Sequence, residues 1–241
     1  KKSNRIIIPK LDDAIFAGTA KSSECRLFLT EGDSAKSLAI RGMTVIGRER
    51  YGAYPLRGKL LNVQDVSTKK INDNEEITAL KKILGLKEGE KYTTLNDLRY
   101  GGIIILTDSD YDGFHCANLI INMLYTLWPE LVKIGFIFSL STPIIKLKYK
   151  SETIDFYSLS DFNKWKDEHT NIKYNAKYYK GLGTFNKDDA KDIFKKFDKK
   201  LSSYVNDDNT KDNINLAFNK KLADDRKEWL MNYDKDNILD N

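Results

Sequence analysis

Ile103-Ile104-Ile105-Leu106-Thr107-Asp108-Ser109-Asp110-Tyr111-Asp112-Gly113 is the stretch that decides the fold. Its opening residues form a wholly apolar strand, and a strand apolar on both faces belongs in the middle of a parallel sheet covered by helices. The chain then turns acidic from Asp108 to Gly113. Beyond the turn, Ala117, Ile120, Ile121, Leu124, Leu127 and Trp128 recur at helical spacing until Pro129 stops them. The same strand, turn and helix occur upstream as Arg26-Leu27-Phe28-Leu29-Thr30, then Glu31-Gly32-Asp33, then Ala35, Leu38 and Ala39. Between the two units, Ile77, Leu80 and Leu84 closed by Gly85 predict another helix, and Phe136-Ile137-Phe138 another strand. Residues 25–142 therefore read as one α/β domain, Rossmann-like, with a central parallel sheet flanked by helices and a lead-in segment over 1–24.

After Pro143 the pattern changes. Ile145, Leu147 and Tyr149 alternate with Lys146, Lys148 and Lys150, which predicts a half-exposed strand, with Ile154 to Tyr157 as its antiparallel partner. Phe162 and Trp165 mark a short helix, Tyr174 to Tyr179 an extended segment, and Ala190, Ile193, Phe194, Phe197 and Leu201 one amphipathic helix. Asn206 to Asn213 reads as a polar loop and Ile214 to Leu230 as helical. Residues 143–241 are thus an α+β extension.

Composition narrows the function classes. The chain has 241 residues, 41% hydrophobic and 31% charged, enough for a core and too rich in apolar residues for disorder. With 40 Lys+Arg against 35 Asp+Glu the net charge is +5, which permits an anionic partner without demonstrating one. No stretch approaches the roughly 20 apolar residues of a membrane span, and no apolar signal region follows Lys1-Lys2-Ser3-Asn4-Arg5, so a soluble, non-secreted chain is expected. It begins without Met and ends in a charged run, as an excised piece would. Cys25 and Cys116 lack C-x-x-C spacing, which excludes a disulfide scaffold and a Cys/His zinc site.

Ligands of open α/β sheets bind at the carboxyl ends of the strands. Both acidic turns fall there, so neighbouring strands would bring Glu31, Asp108, Asp110 and Asp112 together. Such carboxylates repel unless a cation neutralises them, and all-oxygen ligation selects a hard ion, usually Mg²⁺ where phosphate is the substrate. Asp33 and Ser34 read equally well as helix-start residues. The Asp-x-Asp-x-Asp-Gly run opens like an EF-hand loop, but its twelfth position is Leu119 and it follows a strand, not a helix.

Thr30-Glu31-Gly32-Asp33-Ser34-Ala35-Lys36 with Leu106-Thr107-Asp108-Ser109-Asp110-Tyr111-Asp112-Gly113 resembles the two halves of the Toprim metal site of type IIA DNA topoisomerases. Pro55-Leu56-Arg57-Gly58-Lys59, Tyr178-Tyr179-Lys180-Gly181-Leu182-Gly183-Thr184 and Asp224-Asp225-Arg226-Lys227-Glu228-Trp229-Leu230 extend the resemblance over about residues 8–232, in the manner of the eukaryotic or large-virus topoisomerase II branch. Family members often carry Gln at the positions of Ser109 and Tyr111 and a small residue at that of Phe114. None of these is a ligand position.

The resemblance implies an ATP-dependent, homodimeric enzyme that cuts double-stranded DNA with a tyrosine, passes a duplex through and reseals the break. Glu31, Asp108 and Asp110 would be the catalytic acids, joined by Asp112 as holders of Mg²⁺, with Glu31 alternatively a proton carrier. Arg57, Lys59, His115, Lys180 and Gly183 would contact DNA. Trp128, Phe194 and Phe197 read as packing, and His169 as exposed. None of the 13 tyrosines stands in the context of the nucleophile, which in the family lies in a winged-helix domain beyond the Asp-Asp-Arg-Lys-Glu-Trp-Leu segment, and no ATP-binding Gly-rich segment is present. The implied location is the nucleus for a cellular source, and the host cytoplasm, a viral factory or the virion for a viral one. Two other classes fit the same residues: a self-contained Toprim-type Mg²⁺ nuclease or phosphotransferase, and a non-catalytic DNA-docking module. Nicking of supercoiled plasmid would mark the nuclease.

Overall fold

The computed structural model describes residues 6–170 and 172–232. Lys1 to Arg5 and Asp240-Asn241, on which the readings of the two chain ends rest, lie outside the described residues. In chain order the elements are β1 (Arg26–Glu31), α1 (Gly32–Ile46), β2 (Tyr51–Leu56), α2 (Thr68–Asn72), α3 (Glu75–Leu84), β3 (Ile103–Leu106), α4 (Tyr111–Leu127), α5 (Pro129–Lys133), β4 (Ile137–Leu140), β5 (Ile145–Tyr149), β6 (Glu152–Phe156), α6 (Leu159–Glu168), β7 (Asn175–Tyr178), α7 (Lys187–Lys195), α8 (Phe197–Lys200), β8 (Leu201–Ser203), α9 (Thr210–Phe218) and α10 (Ala223–Met231).

The larger sheet has the order β2-β1-β3-β4-β8; its first four strands are parallel and β8 is antiparallel. Alternation along the buried strands feeds two apolar layers. Leu27, Leu29, Ile103 and Ile105 pack with α3, α4 and α5, whereas Phe28, Ile104 and Leu106 pack with α1 and α7. Trp128, Phe194 and Phe197 are core residues as expected, and the Trp128 indole N–H donates to the Lys87 carbonyl at 2.9 Å. Burying side chains of this size stabilises the fold by about 1.5–3 kcal/mol each.

The sequence reading differs from the structure at several places. The strand β2 carried no periodic signal; it is an edge strand, where Pro55 and its missing N–H are tolerated. The single helix expected through Leu201 is two, α7 and α8, interrupted at Lys196, and Leu201 begins β8, which caps the sheet edge beside β4. Ile214 to Leu230 is two helices separated at Asn219, and α9 already begins at Thr210 inside the expected loop. His169 is half-buried, stacked on Trp165 at 4.4 Å with its Nδ1 2.9 Å from the Trp165 carbonyl.

The smaller sheet, β6-β5-β7, is antiparallel, and Ile145, Leu147 and Phe156 of the sheet form its core with Phe162 of α6. Lys146, which alternation places on a solvated face, is buried. It sits opposite Lys177 across β5 and β7, a like-charge pair that is unfavourable unless an acid intervenes. That acid is Asp189 of α7, which takes Lys177 Nζ at 2.6 Å and the Tyr179 hydroxyl at 2.8 Å and lies 3.9 Å from Lys146. Asp192 takes Lys146 at 3.3 Å, and Lys196 reaches Asp155 at 2.7 Å. Ion pairs therefore tie the small sheet to α7, and apolar packing ties α7 to the large sheet.

Candidate metal and nucleic-acid site

β1 and β3 run side by side with Thr30 opposite Leu106, so both acidic turns leave the same end of the sheet. Glu31 is the last residue of β1. Gly32 follows it at φ +77°, a left-handed conformation that lets the strand turn directly into α1, and the Thr30 hydroxyl donates to the Gly32 carbonyl at 3.1 Å. Two residues beyond β3, the Asp108 carboxylate accepts the Leu182 backbone N–H at 2.7 Å. Asp110 caps α4 by accepting the Gly113 N–H at 2.8 Å. Asp112, exposed in the first turn of α4, holds Lys59 Nζ at 2.6 Å.

The electrostatics centre on Glu31. Burial pushes its carboxyl up from the ordinary range, with Asp108, Asp110 and Asp112 adding repulsion, while a hydrogen bond from the Cys116 thiol opposes the rise. Burial beside Glu31 also pushes that thiol up, to about 11. One Glu31 oxygen, Oε2, is buried without a hydrogen-bond partner. A buried, unpartnered carboxylate oxygen is costly, and a hard cation is the partner its chemistry suits. Asp112 is the opposite case, its carboxyl held low by Lys59. The acids do not close a cage: among the described residues no three His, Cys, Asp or Glu side chains are gathered as a metal site. The donor set fits an open Mg²⁺ position that takes the rest of its shell from phosphate and water.

The basic residues surround this acidic end. Gly58, at φ +79°, turns the chain so that Arg57 and Lys59 both project into solvent. Arg57 lies 3.9 Å from Glu75 and 3.8 Å from Glu76, long pairings that leave the guanidinium available. Lys180 and Gly183 are exposed on the loop whose Leu182 N–H binds Asp108. His115 is exposed one turn into α4, its ring centroid 6.4 Å from that of Phe218. Neither Asp33 nor Ser34 caps α1; the Asp33 carboxylate instead takes Lys10 Nζ at 2.7 Å. Sequence reasoning missed two contributors. Cys116 shares the buried face of α4 with Gly113 and Ala117, and helical spacing from Asp112 was the available signal. The Leu182 N–H, a main-chain donor from 74 residues away, left no such signal.

Comparison with known families assigns both parts of the chain. The Toprim domain matches residues 26–142, and the C-terminal associated domain of Toprim matches residues 140–241. The chain is 49% identical over 99% of its length to a probable DNA topoisomerase 2 of Dictyostelium discoideum and 47% identical over its whole length to DNA topoisomerase 2 of Saccharomyces cerevisiae. It spans 16% and 17% of those curated relatives. A crystal structure of the Plasmodium falciparum topoisomerase II DNA-binding, cleavage and re-ligation domain superposes with a TM-score of 0.91 at 42% identity, covering 96% of this chain and 32% of that one. With both domains matched in tandem, and relatives this similar along the whole sequence, the chain belongs to the Toprim family as the Toprim region of a type IIA DNA topoisomerase.

Proposed function

We propose that this chain supplies the Mg²⁺-holding, DNA-contacting part of a type II topoisomerase that makes and reseals a transient double-strand break. The observation that carries the proposal is the buried, unpartnered Glu31 Oε2 at the end of β1, beside Asp108 and Asp110. Glu31, Asp108, Asp110 and Asp112 would hold the ion. When bound, Mg²⁺ supplies positive charge against the 3′-oxygen that leaves phosphorus on cleavage and returns on resealing.

The chain's own groups perform the rest. The Leu182 N–H fixes Oδ1 of Asp108 and so limits the orientations open to the carboxylate. Burial and the neighbouring acids raise the Glu31 carboxyl above its ordinary range, and a cation facing Oε2 would oppose that rise. Arg57, Lys59, His115 and Lys180 hold phosphates by charge, and Gly183 allows the backbone close approach. Lys59, now on Asp112, would exchange that carboxylate for a phosphate as Asp112 turns to the ion. Tyr100 and Tyr179 are buried, kept neutral and hydrogen-bonded to Asp13 and Asp189, an environment unsuited to a nucleophile. For the whole enzyme the proposal carries double-stranded DNA as substrate, ATP as energy source, a homodimeric state and a nuclear location. The relatives named DNA topoisomerase 2 support it, and no helix among the described residues is long and apolar enough to cross a membrane.

The test is Asp108→Ala in the whole enzyme, assayed for supercoil relaxation and for DNA affinity. Relaxation collapses while affinity is kept or rises, because a carboxylate facing phosphate has been removed. Relaxation at a near-normal rate would overturn the proposal.

A further inference from the structure

The rings of Tyr111 and Phe114 are 90% and 58% exposed, although they sit on the first turns of a 17-residue helix whose opposite face, Gly113, Cys116, Ala117 and Ile120, is buried. Residues three apart share a side of a helix, so the two rings form one outward-facing aromatic pair. Nothing within the described chain covers it.

The pair's setting identifies its occupant. Tyr111 lies between Asp110 and Asp112, its Cα about 3.8 Å from each of theirs. Any nucleotide whose phosphate is seated at the acidic turn brings its sugar and base within reach of the Tyr111 ring. Asp110 and Asp112 flank Tyr111 in the chain, His115 follows Phe114, and the Lys59 ammonium sits on Asp112, and the centre of a protein–protein contact is depleted of such charge. A nucleic-acid strand combines the two requirements, because it presents charge along its backbone and a π-face at every base.

We propose that Tyr111 and Phe114 form a stacking platform for an unpaired nucleobase next to the phosphate held at the acidic turn. The proposal deepens the DNA-contacting reading and rests on it. In an intact duplex the base faces are covered by their neighbours, so the platform engages at a break, where a terminal base is free to leave the stack.

The experiment uses the whole enzyme with two fluorescent DNAs, an intact duplex and the same duplex carrying a short single-stranded gap. The unaltered enzyme prefers the gapped duplex. Tyr111→Ser/Phe114→Ser weakens binding to the gapped duplex about tenfold, leaves the intact duplex and the salt dependence unchanged, and so abolishes the preference. Tyr111→Phe/Phe114→Tyr restores it. Equal affinity of the Ser variant and the unaltered enzyme for the gapped duplex, an equal loss on both DNAs, or no preference in the unaltered enzyme overturns the platform and leaves the rings to a protein surface. If neither DNA binds and Arg57→Ala/Lys59→Ala changes nothing, the DNA-contacting reading falls and the platform falls with it.

Discussion

Replacing Gly181 with alanine perturbs Asp108 and little else. Gly181 is fully extended at φ −179°, a conformation open to any residue, so alanine meets no backbone strain. Its Cβ, however, would lie 2.7 Å from Asp108 Oδ2 and 3.2 Å from Cγ. The obstructed atom is the end of a side chain, so the carboxylate swings aside while the backbone stays in place. Swinging costs Asp108 the Leu182 N–H, a charged hydrogen bond of 2.7 Å. Such bonds contribute about 1.5–3 kcal/mol, and substitutions that disturb a ligand's supporting hydrogen bond lower metal affinity by roughly 10–100-fold. The Mg²⁺ concentration giving half-maximal relaxation by the whole enzyme should therefore rise about 10–100-fold, with the melting temperature lowered by no more than the few degrees that one lost hydrogen bond implies. Gly183→Ala is the control. There the new Cβ meets only Ser34, at 3.3 Å and 3.4 Å, which a small shift absorbs, and Mg²⁺ dependence should stay as in the unaltered enzyme. An unaltered Mg²⁺ midpoint in Gly181→Ala, or an equal shift in Gly183→Ala, would refute the assignment of Asp108 as a ligand oriented by this loop.

Two further outcomes are expected. Arg57→Ala/Lys59→Ala should weaken DNA binding and flatten the log–log salt slope by about 0.9 per lost phosphate contact; an unchanged slope would return both residues to an ordinary surface turn. Asp189→Asn should destabilise the chain by about 1.5–3 kcal/mol at neutral pH, as the loss of a charged hydrogen bond does. Burial pushes the Asp189 carboxyl up, but hydrogen bonds from Lys177, Tyr179 and the Asn186 N–H outweigh it and hold the carboxyl below its ordinary 3.8. A folded pKa below the unfolded one gives stability that is complete above the unfolded value and disappears as pH falls through the folded one. Urea midpoints of the two proteins should therefore converge in acid, and a constant gap from neutral pH to pH about 3 would show that the Asp189 charge is not responsible.

The buried parallel strands were legible because burial on both faces leaves its mark on consecutive residues. Ile103 to Leu106 needed no partner to be recognised, and the turns after β1 and β3 placed Glu31 and Asp108 at one end of the sheet from spacing alone. What escaped depends on partners far away in the chain. Lys146 alternates like a surface residue, and only Asp189 and Asp192, over 40 residues later, make its burial tolerable. Leu201 continues a helical period, yet β4 offers an open edge, and pairing with Leu140 overrides the local preference. β2 contains both a glycine and a proline, and it is a strand because β1 lies beside it.

The same long-range dependence determines how the site is held. Asp108 belongs to the parallel sheet, but the N–H that orients it comes from a loop that leaves the small antiparallel sheet. That loop is fixed by Tyr179: its N–H bonds the Ile144 carbonyl at 2.9 Å, its ring stacks on Phe185 at 4.1 Å, and its hydroxyl donates to Asp189. Asp189 in turn sits in the capping box that starts α7, and α7 packs on α1, the helix that begins immediately after Glu31. Two routes thus lead from α7 to the acidic end of the sheet, one through α1 to Glu31 and one through Tyr179 and Leu182 to Asp108. The β1/β3 pairing sets the backbone spacing of the two acids, and a shift of the small sheet relative to α7 would turn the Asp108 carboxylate while Glu31 stays with β1.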